Sequence, residues 1–141
     1  MSGYITWYGG VREQTWRTPP EFFERLHAEY GFTMDGAGSP ENGLLPKTST
    51  IEDPLPWDSQ RVFCNPPWSD IRPFVELAVH AELAVLLVPA RTNAKWFHRA
   101  LELGAEVRYF LGKPKFVGAK STSPVDCVLL VFDNAAEKIA A

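Results

Sequence analysis

Arg61-Val62-Phe63-Cys64-Asn65-Pro66-Pro67-Trp68-Ser69 is the stretch on which the reading of this chain turns. Arg61 to Cys64 is a short run of strand formers that gives way at once to the tetrapeptide Asn-Pro-Pro-Trp. The prolines fix φ and remove two backbone donors, so their carbonyls are expected to stay free to accept from another molecule. The Asn65 side-chain oxygen and the Pro66 carbonyl could then take both hydrogens of an exocyclic amine, while Trp68 stacks on the attached heterocycle. Such bonds orient the nitrogen lone pair and stabilise the positive charge that grows as the amine attacks an electrophile. The corner reads as a candidate active site, with a Pro-Pro turn beneath a surface tryptophan as the plainer alternative.

Downstream, Ile71, Phe74, Val75, Ala78 and Ala81 recur at helical spacing, with Ser69 or Asp70 as cap and Pro73 in the first turn. Leu83 to Val88 is continuously apolar, the pattern of a central parallel strand covered on both faces. It ends at Pro89-Ala90-Arg91-Thr92. Asn93 is the expected cap of a third helix that buries Trp96, Phe97, Ala100 and Leu101 and stops at Gly104. Val107 to Leu111 and Cys127 to Phe132 read as two last strands, joined by a loop, Gly112 to Pro124, rich in Lys, Gly and Ser.

Upstream, Thr18 is a good N-cap, Pro19 suits the first helical position, and Glu21 falls where a capping box wants its acid. Phe23, Leu26 and Tyr30 form one face of that helix, and Gly31 ends it. Phe32-Thr33-Met34 is a short strand ending at Asp35, followed by Gly36-Ala37-Gly38-Ser39-Pro40-Glu41-Asn42. Small residues after a strand let a ligand approach the backbone closely, although many ordinary strand-to-turn junctions are also rich in Asp and Gly. Gly43 to Gln60 is irregular and polar, too short for the two strand–helix units of a full doubly wound sheet, so the sheet should be a reduced one.

The result is an α/β chain with a mostly parallel sheet and flanking helices, a single domain over residues 1–141 with an arm at 1–15 and a tail at 134–141. Right-handed crossovers place the C-terminal ends of the middle strands on one sheet edge. Asp35, Asn65 to Trp68, and Arg91-Thr92 all lie just past such ends, where open α/β sheets bind ligands.

Composition narrows the partners. The chain has 141 residues, 45% of them hydrophobic, enough for one core. Its longest apolar run is too short to cross a bilayer, and Met1-Ser2-Gly3 does not open a signal peptide. Cys64 and Cys127 sit inside apolar runs and read as buried thiols of a cytoplasmic protein, and the three histidines are too scattered to suggest a metal. The net charge of −3 is uneven: residues 1–60 carry four basic and nine acidic groups, residues 91–120 seven basic and two acidic. The second segment could form one face of a nucleic-acid binder, and a solvated surface explains its lysines equally well.

Asn65-Pro66-Pro67-Trp68 resembles the Asn/Asp-Pro-Pro-aromatic motif of S-adenosylmethionine-dependent amino methyltransferases. From Trp16 to Phe132 the chain is more narrowly similar to the small phage and prophage DNA N6-adenine methyltransferases, the phage Dam family. The pieces are Trp16-Arg17-Thr18-Pro19, Asp35 to Asn42 in an Asp-x-Ala-x-Ser-x-Glu-Asn pattern, and Cys64 to Trp68. Pro89-Ala90-Arg91-Thr92, Trp96-Phe97-His98, Lys115-Phe116, Gly118 and Ser123-Pro124 complete the series. Trp68 stands where Tyr is commoner and Gly38 where Ala is frequent.

The resemblance implies a reduced Rossmann-like methyltransferase fold and methyl transfer from S-adenosylmethionine to adenine N6 in DNA. Asn65, Pro66, Pro67 and Trp68 would be catalytic. The cofactor would lie against Trp16, Thr18, Pro19, Asp35, Gly36, Ala37 and Gly38, with Asp53 a candidate for its ribose. Arg91, Thr92, Lys113, Lys115 and Ser123 are the residues expected to contact DNA. No metal and no membrane are implied, a homodimer is left open, and the setting would be the bacterial cytoplasm, from a phage or prophage gene. Two alternatives remain: methylation of a protein glutamine amide by the same motif, and a non-catalytic DNA-binding module derived from such an enzyme.

Overall fold

A computed structural model describes residues 17–38, 43–112, 116–117 and 125–135. Its elements run α1 (Pro20–Tyr30), β1 (Met34–Asp35), β2 (Arg61–Cys64), α2 (Arg72–Ala78), β3 (Leu83–Pro89), α3 (Lys95–Glu102), β4 (Glu106–Arg108) and β5 (Cys127–Asp133). They build one five-stranded sheet in the order β1-β2-β3-β5-β4. β1 pairs parallel with β2, and β2 with β3, whereas β5 lies antiparallel between β3 and β4. Four strands therefore point one way, and β5 alone returns.

β3 is buried along its whole length because both of its neighbours and both faces are occupied. α1 covers one face, where the Phe23 ring meets Phe63 edge-on at 5.4 Å and Phe32 at 5.9 Å. Val62 and Cys64 alternate with Phe63 and so point to the opposite face. There Trp57 packs beside α2, its ring 6.3 Å from that of Phe74.

All three helices of the described residues start without a side-chain cap, and before α2 and α3 backbone turns take the place of the expected caps. α1 begins at Pro20 with Pro19 as its cap residue and no side-chain cap bond. Thr18 therefore lies one residue before the cap position and makes no cap bond to the helix. Ser69 and Asp70 lie in a turn closed by Asp70 N–H donating to the Pro67 carbonyl at 3.0 Å, and α2 follows Ile71 instead. Asn93 likewise sits inside the turn Ala94 N–H to Arg91 C=O, 3.0 Å, and Ala94 precedes α3. Gly31 does end α1, in the left-handed region at φ 64°.

Two further segments depart from the sequence pattern. Leu101 is exposed, so α3 buries only Phe97 and Ala100, with Trp96 half-covered. β4 stops at Arg108; beyond it Phe110 turns in onto Phe22 at 5.0 Å, while Tyr109 and Leu111 face solvent. The link from Gly43 to Gln60 does more than connect. Asp35 N–H donates to Lys47 C=O at 2.9 Å and Ser49 N–H to Asp35 C=O at 2.8 Å, so Thr48 bridges the free edge of β1 where a further strand would lie. Asn134, the first residue of the expected tail, donates from its side chain to the carbonyls of Ala78 and Ala81 and closes the end of α2.

Candidate active site

β1, β2 and β3 run parallel, so the residues that follow them, Gly36, Asn65 and Ala90-Arg91, emerge on one sheet edge. β4 runs the same way and β5 the opposite way, so the end of β4 and the start of β5 meet the same edge. The sequence placed three polar loops here, and the strand directions bring them together.

Asn65 is half-buried directly after β2, and Pro66 is buried behind it. The two proline carbonyls are not equivalent. Pro67 spends its carbonyl on the turn to Asp70, which corrects the expectation that both stay free. Among the described residues no group donates to the Pro66 carbonyl. Trp68 is not a surface residue: it is 5% exposed, with its indole N–H donating to the Leu87 carbonyl at 3.3 Å. Phe116 meets the Trp68 ring at a centroid distance of 5.5 Å and an angle of 85°. The indole is thus anchored to the central strand and covered by a ring carried between β4 and β5.

Asp35 holds its own loop. Its carboxylate is 3% exposed and accepts from Ala37 N–H at 3.1 Å and Leu44 N–H at 2.9 Å, one oxygen for each donor. Burial raises its pKa above the ordinary carboxylate value, and the two backbone bonds offset part of that rise. Its charge and the absence of water together push the Cys64 thiol well up, with burial the larger cause, so Cys64 is an inert core thiol.

Packing within the protein by itself requires glycine at these positions of the loop. A Cβ on Gly36 would stand 2.6 Å from Trp57 and 2.8 Å from Val62; on Gly38 it would stand 2.4 Å from Thr48. Gly36 N–H donates to Phe63 C=O and Gly38 N–H to Ser49 C=O, so these donors are also committed within the protein. On the outer side of the loop Ala37 and Gly38 are half-exposed, the part of it that a bound molecule could reach. The Thr50–Asp53 turn leaves the same ladder, and Asp53 is exposed on it.

Thr18 is buried and Pro19 half-buried, and the carbonyl of neighbouring Arg17 accepts from Val117 N–H at 2.9 Å. This bridge joins the segment before α1 to the segment that carries Phe116. Arg91 is half-buried at the end of β3, and Thr92 is exposed with its carbonyl 2.7 Å from His98 Nε2. Trp16, Lys113, Lys115 and Ser123 lie outside the described residues. The basic segment is less free than its composition suggests, because Arg99 pairs with Glu76 at 2.8 Å and Arg108 with Glu29 at 2.8 Å.

Trp57 is the neighbour of the candidate site that the sequence reading missed. It lay in a link judged polar and irregular, yet it is 1% exposed beneath the Asp35 loop. The signal was present in Leu55-Pro56-Trp57, two large apolar residues at alternating positions in an otherwise polar stretch.

Among the described residues no group of three or more His, Cys, Asp or Glu is placed to hold a metal ion, and no helix is long and apolar enough to cross a membrane. No curated protein matches the chain. The model of the family described as DNA N-6-adenine-methyltransferase (Dam) matches residues 10–137. That match spans the strand edge, the Asp35 loop and the Asn-Pro-Pro-Trp corner together, and the chain belongs to the Dam family of DNA N-6-adenine-methyltransferases.

Proposed function

We propose that the protein transfers a methyl group from S-adenosylmethionine to the N6 amino group of adenine in DNA, and that residues Asn65 to Trp68 do the chemistry. The observation that carries this reading is the corner itself: a half-buried carboxamide beside a proline carbonyl to which no described group donates, at the sheet edge of a Dam-family fold. S-adenosylmethionine would supply an electrophilic methyl group. Asn65 Oδ1 and the Pro66 carbonyl would accept the two N6 hydrogens, holding the lone pair outward and stabilising the charge that develops on nitrogen. The amine needs no base before attack, because its proton can leave afterwards. Pro67 would keep the corner rigid through its bond from Asp70.

Adenine in a duplex is out of reach of such a corner, so the base must leave the stack. Trp68 would be its stacking partner, and the base would take the place that Phe116 holds here. Thr18, Pro19 and the outer side of Gly36 to Gly38 would line the cofactor, Trp16 with them, and Asp53 would face its ribose hydroxyls. Asp35 would act by shaping that loop. Arg91 and Thr92, with Lys113, Lys115 and Ser123, would meet the DNA backbone and base edges at the same rim.

Transfer of labelled methyl from S-adenosylmethionine to purified DNA, with a protein fraction assayed alongside, tests this reading. Label in N6-methyladenine is the expected result; label only in protein amides would replace it with the glutamine reaction. A second reading, a DNA-binding module without catalysis, is favoured by one observation, that the Asp35 carboxylate and the loop N–H groups are spent within the protein. Calorimetry with S-adenosylmethionine separates it, since a module would bind DNA and no cofactor.

A further inference from the structure

The link between Gly43 and Gln60 buries one large side chain, Trp57, and the way it does so goes beyond filling the core. The indole lies directly under Gly36, so close that a Cβ there would stand 2.6 Å from Cζ2. The same ring also meets Phe74 in the first turn of α2, 6.3 Å between centroids. Gly36 opens the loop after β1, and Phe74 sits a few residues beyond Asn65 to Trp68, on the helix into which that corner leads. Trp57 therefore meets both the loop after β1 and the helix that follows the corner after β2. Its own backbone is fixed by Gln60 N–H donating to its carbonyl at 3.0 Å, a tight turn in which Ser59 takes φ 61°.

We propose that Trp57 is a positioning residue for methyl transfer, setting the height of the Gly36–Gly38 loop relative to the Asn65 corner; this rests on the function proposed above. The physical case is one of distances. Methyl transfer requires donor and amine to meet in line, and displacement of about 1 Å can cost on the order of a hundredfold in rate. The loop after β1 and the corner after β2 belong to adjacent strands, and the backbone bond from Gly36 N–H to Phe63 C=O ties the loop to β2 past the last strand pair. A rigid indole wedged below the loop and against α2 supplies a further constraint, one made by a side chain. Gly36 is the complementary half of the device, because no other residue lets the ring come so near the backbone.

Truncating Trp57 should leave the sheet standing and let the loop sink. The test is calorimetric titration of S-adenosylhomocysteine into wild type, Trp57→Leu, Trp57→Phe and Phe132→Leu, each well below its melting temperature. Phe132 is a buried aromatic of β5, paired with Ala84 and remote from the loop, and serves as the control for general loss of packing. Trp57→Leu should bind at least about tenfold more weakly, a loss of about 1.4 kcal/mol. Phe132→Leu should bind as wild type does even where its melting temperature falls as far. A folded Trp57→Leu with wild-type affinity overturns the proposal, and so does equal weakening in Phe132→Leu. Should Trp57→Leu fail to fold, Trp57→Phe decides: several-fold weaker binding supports the role and unchanged binding overturns it. A wild-type protein that does not bind S-adenosylhomocysteine would instead overturn the methyltransferase reading on which this one stands.

Discussion

In the proposed site Asp35 would act without touching a ligand, because its carboxylate is occupied by its own loop. Each carboxylate oxygen takes a different backbone N–H, so Asn at this position can satisfy one donor and must turn an amide N–H toward the other. Asp35→Asn should cost about 1–3 kcal/mol, the range for leaving a buried donor unsatisfied. Urea unfolding measures this, and cofactor affinity should fall with it. The pH dependence has a definite sign. Burial raises the folded-state pKa above the ordinary value, so ionised Asp35 weighs against the fold at neutral pH. That cost disappears as pH falls through the raised folded value to below the ordinary one. The stability gap between wild type and Asp35→Asn should therefore widen on acidification; a gap that narrows would contradict the account. The acid and its glycines were legible in the sequence, but their purpose was not. Which way a carboxylate turns depends on Leu44, nine residues away, and no local pattern records that.

At the scale of elements, the strands were easier to read than the helix starts. Leu83 to Pro89 carries its assignment in its composition, because a strand covered on both faces must be apolar throughout. Leu86→Ala should cost about 2–5 kcal/mol, checked by denaturant unfolding, as a methyl-bearing side chain lost from the middle of that strand leaves a cavity. The capping residues misled because a side-chain cap competes with backbone turns, and the Pro67–Asp70 turn and the Arg91–Ala94 turn win that competition. Gly31 was legible since only its backbone conformation matters: a Cβ there would meet no atom within 4 Å. Gly31→Ala should accordingly cost only the left-handed penalty of about 1–2 kcal/mol in a thermal melt.

Over the whole molecule, strand directions made the site. The order of elements and the parallel start of the sheet followed from the sequence, and with them the convergence of Asp35, Asn65 and Arg91. The return of β5 between β3 and β4 did not, because nothing local distinguishes an apolar strand that runs up from one that runs down. Charge was also only half legible. Arg99 and Arg108 count as basic in the sequence but are partnered by Glu76 and Glu29 in the fold. Arg99→Ala should leave the KM for DNA nearly unchanged, whereas Arg91→Ala, at the site edge, should raise it and reduce the salt slope of DNA binding by about one. The burial of Trp68 behind Phe116 likewise needed the fold, since those residues are far apart in sequence. The central claim is that the Asn65 corner methylates adenine, and one measurement meets it directly. Plasmid DNA from cells expressing wild type or Asn65→Ala is sequenced by a method that detects N6-methyladenine, alongside cofactor binding by both purified proteins. The account predicts N6-methyladenine at a recurring sequence with wild type, none with Asn65→Ala, and cofactor binding largely kept in both. Undiminished methylation by Asn65→Ala would contradict it.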